Sequence, residues 1–320
     1  MSQPWNSPQR DITPESAFLT RRRWLGLGAV ALGLGAAGGG LYWRFRPGTT
    51  AEVLATAQES PPGADLYPGT PEGRFIDAGR PMTPAEVAAA HTNFYEFSSL
   101  KDVWRHVEPF QPAPWRVEVA GMVARPRTYD IDDLIRAFPL QERVYRLRCV
   151  ETWAMVVPWT GFPLAALLAR AEPLAGAKYV AFVSFDRPSE ASKQKNRSMP
   201  WPYTEGLTLA EATNPLAFIA TGIYGRPLLK QHGAPVRLVV PWKYGFKSGK
   251  SIVRIELTDR QPATFWNTVQ GREYDFEANV DPGKPHPRWS QAWERMLGTG
   301  EKYPTAIYNG YGEWVAKLYA

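Results

Sequence analysis

Arg143-Val144-Tyr145-Arg146-Leu147-Arg148-Cys149-Val150 alternates in character along its length. Successive side chains of a strand point to opposite faces, so Tyr145, Leu147 and Cys149 share one face and Val144, Arg146 and Arg148 the other. The pattern predicts a strand over residues 143–150 that carries the chain's single cysteine. Residues 116–123 alternate in the same way and predict a second half-buried strand. Further strands are predicted over 178–185, 216–223, 236–240 and 251–257, with short helices over 84–90, 131–138, 163–171 and 207–213. Strands and helices mix without a regular β-α-β alternation, which makes the fold class α+β. Many of the 30 Pro and 27 Gly residues fall in the connections, predicting long, fixed loops of the kind that surround a buried cofactor.

Composition narrows the function classes. Of the 320 residues, 44% are hydrophobic and 21% charged, a globular balance that excludes extended disorder over most of the chain. The net charge of +6 is spread among aromatic and acidic residues rather than gathered in a stripe, which argues against nucleic acid as a partner. One cysteine makes neither an internal disulfide nor a multi-thiolate zinc or iron–sulfur site, and there is no C-x-x-C-H haem run. Any redox cofactor is therefore held mostly by something other than cysteine.

Thr20-Arg21-Arg22-Arg23-Trp24-Leu25, a glycine-rich apolar stretch ending near Tyr42, and the small residues Ala55-Thr56-Ala57 follow the order basic, apolar, small. That order predicts a cleaved export signal over residues 1–57, of twin-arginine type, rather than a retained membrane anchor. The glycines lower both the hydrophobicity and the helix stability that an anchor requires. Residues 58–83, rich in Pro, Gly and small side chains, are expected to be an extended lead-in, with the catalytic domain over 84–320 and the exported product a soluble monomer.

Several residues are candidates for chemistry. Gly245-Phe246-Lys247-Ser248-Gly249-Lys250-Ser251 falls short of a nucleotide P-loop by one residue, and Tyr244 occupies the place of the first glycine. Ser248, Gly249 and Lys250 nevertheless offer amides and an ammonium to a single phosphate, or else form an exposed turn. Cys149 has three readings: a small buried hydrophobe, a nucleophile, or a metal-ligating thiolate. His232 lies in a turn leading to Arg237 and is either a ligand contact or a core histidine. Glu96 and Glu151 are possible acids or bases, and neither has a close carboxylate partner in the sequence.

The run Arg146-Leu147-Arg148-Cys149-Val150-Glu151-Thr152-Trp153-Ala154-Met155-Val156-Val157-Pro158-Trp159-Thr160-Gly161-Phe162-Pro163 resembles the sulfite oxidase family of molybdenum enzymes, in its branch of periplasmic protein-methionine-sulfoxide reductases. The likeness continues in Asn93-Phe94-Tyr95-Glu96-Phe97, Gly233-Ala234-Pro235-Val236-Arg237, Pro241-Trp242-Lys243-Tyr244-Gly245-Phe246-Lys247 and His286-Pro287-Arg288-Trp289-Ser290.

The resemblance implies a mixed-sheet, sulfite-oxidase-like molybdopterin-binding fold and a molybdenum-molybdopterin cofactor with Cys149 as the protein ligand to the metal. It implies cofactor contacts from Asn93, Tyr95, Glu96, Ser184, His232, Arg237, Ser248, Gly249 and Lys250. Ser184 keeps the hydroxyl of a threonine found in the family, whereas His232 replaces an asparagine. The pterin dithiolene fills other metal positions, which makes a solitary cysteine sufficient. The implied activity is reduction of methionine sulfoxide in oxidised periplasmic proteins, with electrons from a haem-containing membrane subunit. Thiol-based repair of that lesion resolves a sulfenic acid with a second thiol, which this chain lacks. A sulfite-oxidising or other small S/N-oxide-reducing molybdoenzyme, and a non-catalytic pterin-binding protein, are the alternatives.

Overall fold

The alternating stretch is a strand with one face in the core and the other in a polar network. The computed structural model describes residues 49–320, and the predicted arginine-pair signal lies outside them up to residue 48. Among the described residues thirteen strands form: β1 (Thr70–Pro71), β2 (Arg116–Gly121), β3 (Arg127–Asp130), β4 (Gln141–Arg148), β5 (Trp153–Pro163), β6 (Tyr179–Ser184) and β7 (Thr204–Thr208), followed by β8 (Phe218–Ile223), β9 (Arg226–Pro227), β10 (Arg237–Val239), β11 (Ile252–Thr258), β12 (Trp293–Met296) and β13 (Lys302–Pro304). Eight of them make one sheet, with β4 antiparallel to β5 from Gln141↔Gly161 to Arg148↔Ala154. The other five follow the order β3-β2-β11-β6-β7, in which β2 and β11 run parallel and the remaining pairs antiparallel. Both parallel and antiparallel pairs occur, so the fold is α+β with mixed sheets, as expected.

The longest strand, β5, is one the alternation test passes over. Residues 154–162 are buried without interruption, because β5 is central to its sheet and covered on both faces. Pro158, which reads as a strand breaker, lies between Ala154, the last residue paired with β12, and Trp159, the first paired with β8. At Gly161 the pairing with β8 shifts register, and a Cβ there would stand 2.0 Å from the Ile219 carbonyl oxygen, so only glycine fits.

The helices are short and fall close to where the sequence places them. Leu164–Ala171 buries Leu164, Leu167, Leu168 and Ala171, the i, i+3, i+4, i+7 set of one helix face. The helix expected over 207–213 is shorter, Leu209–Ala212, because Leu207 belongs to β7 and Thr208 ends the strand as the helix cap. Thr208 and Glu211 form a reciprocal capping box there. The helix expected over 131–138 closes at Arg136, and the strand expected to reach residue 150 ends at Arg148. Ahead of these, the helix Thr50–Leu54 buries Val53, whose carbonyl accepts from Gln231 Nε2 at 3.0 Å. No helix among the described residues is long and apolar enough to cross a membrane.

Candidate active site

Cys149 opens the turn that joins β4 to β5. The Thr152 N–H donates to the Cys149 carbonyl and the Cys149 N–H to the Trp153 carbonyl, both at 2.9 Å. Thr152 closes the turn at φ 72°, a left-handed conformation that a β-branched residue adopts at a cost. Strain of this kind, held by surrounding structure, is a mark of functional turns. The turn places the Cys149 side chain, only 4% exposed, in a cleft that opens to solvent.

The sequence brings donors to the sulfur from two directions. The Asn93 amide nitrogen lies 3.4 Å from Cys149 Sγ and the Glu151 N–H 3.5 Å from it. Burial pushes the thiol up to about 12, and the nearby Glu151 carboxylate adds to the shift. Glu151 Oε2 accepts from Lys101 at 2.5 Å and from Asn93 and Trp153. Burial opposes ionisation of Glu151, but the Lys101 ammonium outweighs it and holds the carboxyl below its ordinary range. Arg148, expected on the opposite face from the thiol, is there: fully buried and paired with Glu294 at 3.0 Å.

Two cations stand at the inner end of the cleft. Arg237 and Lys250 both line the cleft, Arg237 buried and Lys250 half-buried. Arg237 spends its guanidinium on the carbonyls of His232, Ser248 and Leu238 rather than on a carboxylate, and burial pushes it down to about 9. Burial and then the charge of Arg237 likewise lower Lys250. A buried and a half-buried cation side by side, both disfavoured by desolvation, suit an anion. Gly233, at φ 93°, lets the preceding turn pass Lys250 closely, since a Cβ there would stand 2.7 Å from Lys250 Cβ.

His232 is buried beside them; its ring nitrogens make no well-formed hydrogen bond among the described residues, and the Ala88 backbone is a polar neighbour of the ring. Burial pushes it down to about 3, with Arg237 contributing, so the ring is neutral at ordinary pH. A buried neutral imidazole without a well-formed hydrogen bond suits a polar ligand group.

The remaining expected residues divide. Asn93, Tyr95 and Glu96 line the cleft together with Cys149, Arg237 and Lys250. Ser184 stands behind them, its hydroxyl 3.0 Å from Glu96 Oε1 and 2.8 Å from the Lys250 carbonyl, so it supports both. Burial raises Glu96 above the ordinary carboxylate range. Ser248 and Gly249 form the turn before β11 and use their amides within it, donating to the Gly245 and Lys247 carbonyls.

Sequence reasoning did not single out Lys101, Tyr203, Trp266 or Tyr274. The last three line the cleft, and Trp266 packs against Tyr95 and Tyr274 with ring centroids 4.8 and 5.1 Å apart. The only local signal for them was the aromatic content of the chain, because their approach to Cys149 depends on distant elements.

Among the described residues no group of three His, Cys, Asp or Glu side chains could hold a metal ion, so a metal at Cys149 would take its other ligands from a cofactor or solvent. The cleft, the lone thiol, the paired cations and the neutral imidazole fit a molybdenum cofactor that brings its own sulfur ligands and ends in a phosphate.

Residues 105–266 match the family described as the oxidoreductase molybdopterin binding domain. The chain is also 48% identical to the protein-methionine-sulfoxide reductase catalytic subunit of Burkholderia mallei, over 98% of this chain and 92% of that relative. The chain belongs to this reductase family. It is accordingly a molybdopterin-dependent oxidoreductase, as the resemblance of its motifs implied. A solved structure, the sulfane dehydrogenase SoxCD of Paracoccus pantotrophus, aligns over 81% of this chain and 67% of its own at 16% identity and a TM-score of 0.44. Within the reductase family the cleft around Cys149 is the candidate active site.

Proposed function

We propose that this reductase acts on methionine sulfoxide in exported proteins, with Cys149 as the protein ligand to molybdenum. Arg237, Lys250 and His232 hold the phosphate end of the pterin, and Asn93, Tyr95 and Glu96, with Ser184, Ser248 and Gly249 behind them, complete its cradle. The observation that carries this reading is the lone thiol facing the same cleft as two cations, Arg237 buried and Lys250 half-buried, that form no ion pair among the described residues.

When bound, the cofactor supplies oxygen-atom transfer, in which the sulfoxide oxygen leaves as water and two electrons and two protons are taken up for each methionine formed. The chain's own residues do the rest. Asn93 and the Glu151 amide donate to the sulfur and stabilise it as a thiolate. Lys101 pins the Glu151 carboxylate and so keeps Asn93 in place. The rings of Tyr95, Trp266, Tyr274 and Phe246 form an apolar mouth that suits a thioether side chain and sheds water.

The chain carries one cysteine and no haem-attachment run, so electrons come from a second protein, and the relative's designation as a catalytic subunit supports such a partner. The reading assigns that role to a haem-containing membrane subunit, and the periplasm, reached by twin-arginine export, as the site of action. Arg21 and Arg22 before a glycine-rich apolar stretch support the export route.

Metal and pterin analysis of the purified chain, combined with reduction of a methionine-sulfoxide protein by an artificial electron donor, tests the proposal. Equimolar molybdenum and formation of methionine are expected. Wild-type protein that turns over sulfoxide without molybdenum overturns it.

A further inference from the structure

The turn that carries Cys149 is held from outside by one distant segment, residues 289–294. Arg148 donates through Nη1 to the Cys149 carbonyl. Its remaining donors go to Glu294 at 3.0 Å, Gln291 Oε1 at 2.8 Å, Thr305 at 3.2 Å and the Trp293 carbonyl at 3.3 Å. The next carbonyl, that of Val150, accepts twice, from Trp289 Nε1 at 2.8 Å and from Gln291 Nε2 at 2.7 Å. The Thr152 carbonyl accepts from the Arg295 N–H at 2.9 Å. Two of the four carbonyls of this strained turn, those of Val150 and Thr152, are thus gripped by groups that arrive some 140 residues later, and a third, that of Cys149, by Arg148, which that same segment holds.

We propose that residues 289–294, acting with Arg148, are a positioning clamp that sets the direction in which Cys149 presents its sulfur. Fold stability alone does not ask for this arrangement. The β4–β5 hairpin is already closed by its own backbone bonds; the buried Cys149 carbonyl already accepts from the Thr152 N–H, and one donor would satisfy the buried Val150 carbonyl, which receives two. Spending an indole, an amide and a buried guanidinium on two consecutive carbonyls restrains the peptide planes on either side of Val150, the first of which follows Cys149, while the Cys149 N–H bond to the Trp153 carbonyl holds the plane before it. Those planes fix the Cα–Cβ direction, and a metal bond to sulfur is sensitive to it in the way that outer contacts tune other metal sites. Trp289, Gln291 and Glu294 touch neither the cleft nor the thiol, so they act through the turn.

This inference rests on Cys149 being the metal ligand, and its test separates the two claims. Trp289→Phe removes one donor to Val150 while keeping a ring against His286, and Gln291→Met removes the other. In the holoenzyme, both variants are expected to retain molybdenum but to show an altered Mo(V) electron paramagnetic resonance spectrum, with kcat lowered ~10-fold or more and KM little changed. In full-length chain from cells unable to make the cofactor, Cys149 is the sole cysteine, so iodoacetamide reads it alone. Its alkylation is expected to quicken several-fold as the loosened turn uncovers the thiol. A wild-type spectrum and a wild-type alkylation rate in Trp289→Phe, the variant least disturbing to packing, overturn the clamp. Wild-type protein without molybdenum would sink the ligand assignment instead, while the alkylation rates would still decide whether the clamp holds the turn.

Discussion

Asn93 and Cys149 stand 56 residues apart in the chain and meet side chain to side chain, the amide nitrogen 3.4 Å from the sulfur. The same nitrogen lies 3.2 Å from Glu151 Oε2, so the asparagine is shared between the thiol and the carboxylate two residues beyond it. Burial opposes ionisation of the thiol, and the donors around it favour the thiolate. Under the proposed ligation, metal coordination would settle that contest, because a coordinating thiol is deprotonated outright.

Cys149→Ser tests this balance directly. The variant is expected to fold and to retain pterin through the cation end of the cleft, but sulfoxide reduction should drop to background and the metal spectrum should change, because a neutral hydroxyl is a poor, hard donor. Full activity in a well-folded serine variant refutes the assignment. Activity, pterin fluorescence and molybdenum content measured on one preparation give the answer.

The two cations make a different prediction, one for loading. Arg237→Ala with Lys250→Ala should lower the molybdenum and pterin recovered with the protein. Each charge-assisted hydrogen bond to a phosphate contributes about 1.5–3 kcal/mol, and contacts sharing one phosphate need not add. Unchanged cofactor content removes both residues from the site.

His232 links the same region to pH. Its folded value, about 3, lies below the ordinary 6.5, so between those limits the unfolded chain binds the extra proton and stability is lost as pH falls. Within that window His232 contributes a slope of up to ~1.4 kcal/mol per pH unit. His232→Asn should remove this component, so the stability difference between variant and cofactor-free wild type should grow in the variant's favour from pH 6.5 downward. Denaturant unfolding at pH 7.5 and pH 4.5 measures it, and a difference independent of pH contradicts the prediction.

Glu294 accepts from both Arg148 and Arg80, and its side chain is fully buried. Glu294→Leu leaves two guanidinium groups without their carboxylate, one of them wholly buried. The expected cost is about 3–5 kcal/mol, the range for breaking one side of a buried ion pair. Thermal or denaturant unfolding reads it, and a loss below ~1 kcal/mol would show that water or rearrangement satisfies both arginines.

Export is open to a cellular test. Arg21→Lys with Arg22→Lys should stop delivery to the periplasm while leaving folded, cofactor-loaded protein in the cytoplasm. Normal amounts of processed protein in the periplasmic fraction exclude the twin-arginine route.

The strand leading to Cys149 and the placement of Arg148 away from the thiol were legible because a period of two is local: it needs only neighbouring residues and a sheet with two unlike faces. The helix Leu164–Ala171 was legible for the same reason at its own period. Motifs such as Asn93-Phe94-Tyr95-Glu96-Phe97 and the residues around Cys149 carried the family and its cofactor class, since those side chains are chosen by chemistry rather than by packing. β5 was not legible, because burial on both faces erases alternation and Pro158 mimics a breaker. That Arg237 and Lys250 converge, that Lys101 reaches Glu151, and that Trp289 and Gln291 grip Val150 from some 140 residues away were decided only by the tertiary structure. Each of these contacts follows from sheet register and loop path, quantities fixed by summed long-range pairing, to which no single stretch of sequence is sensitive.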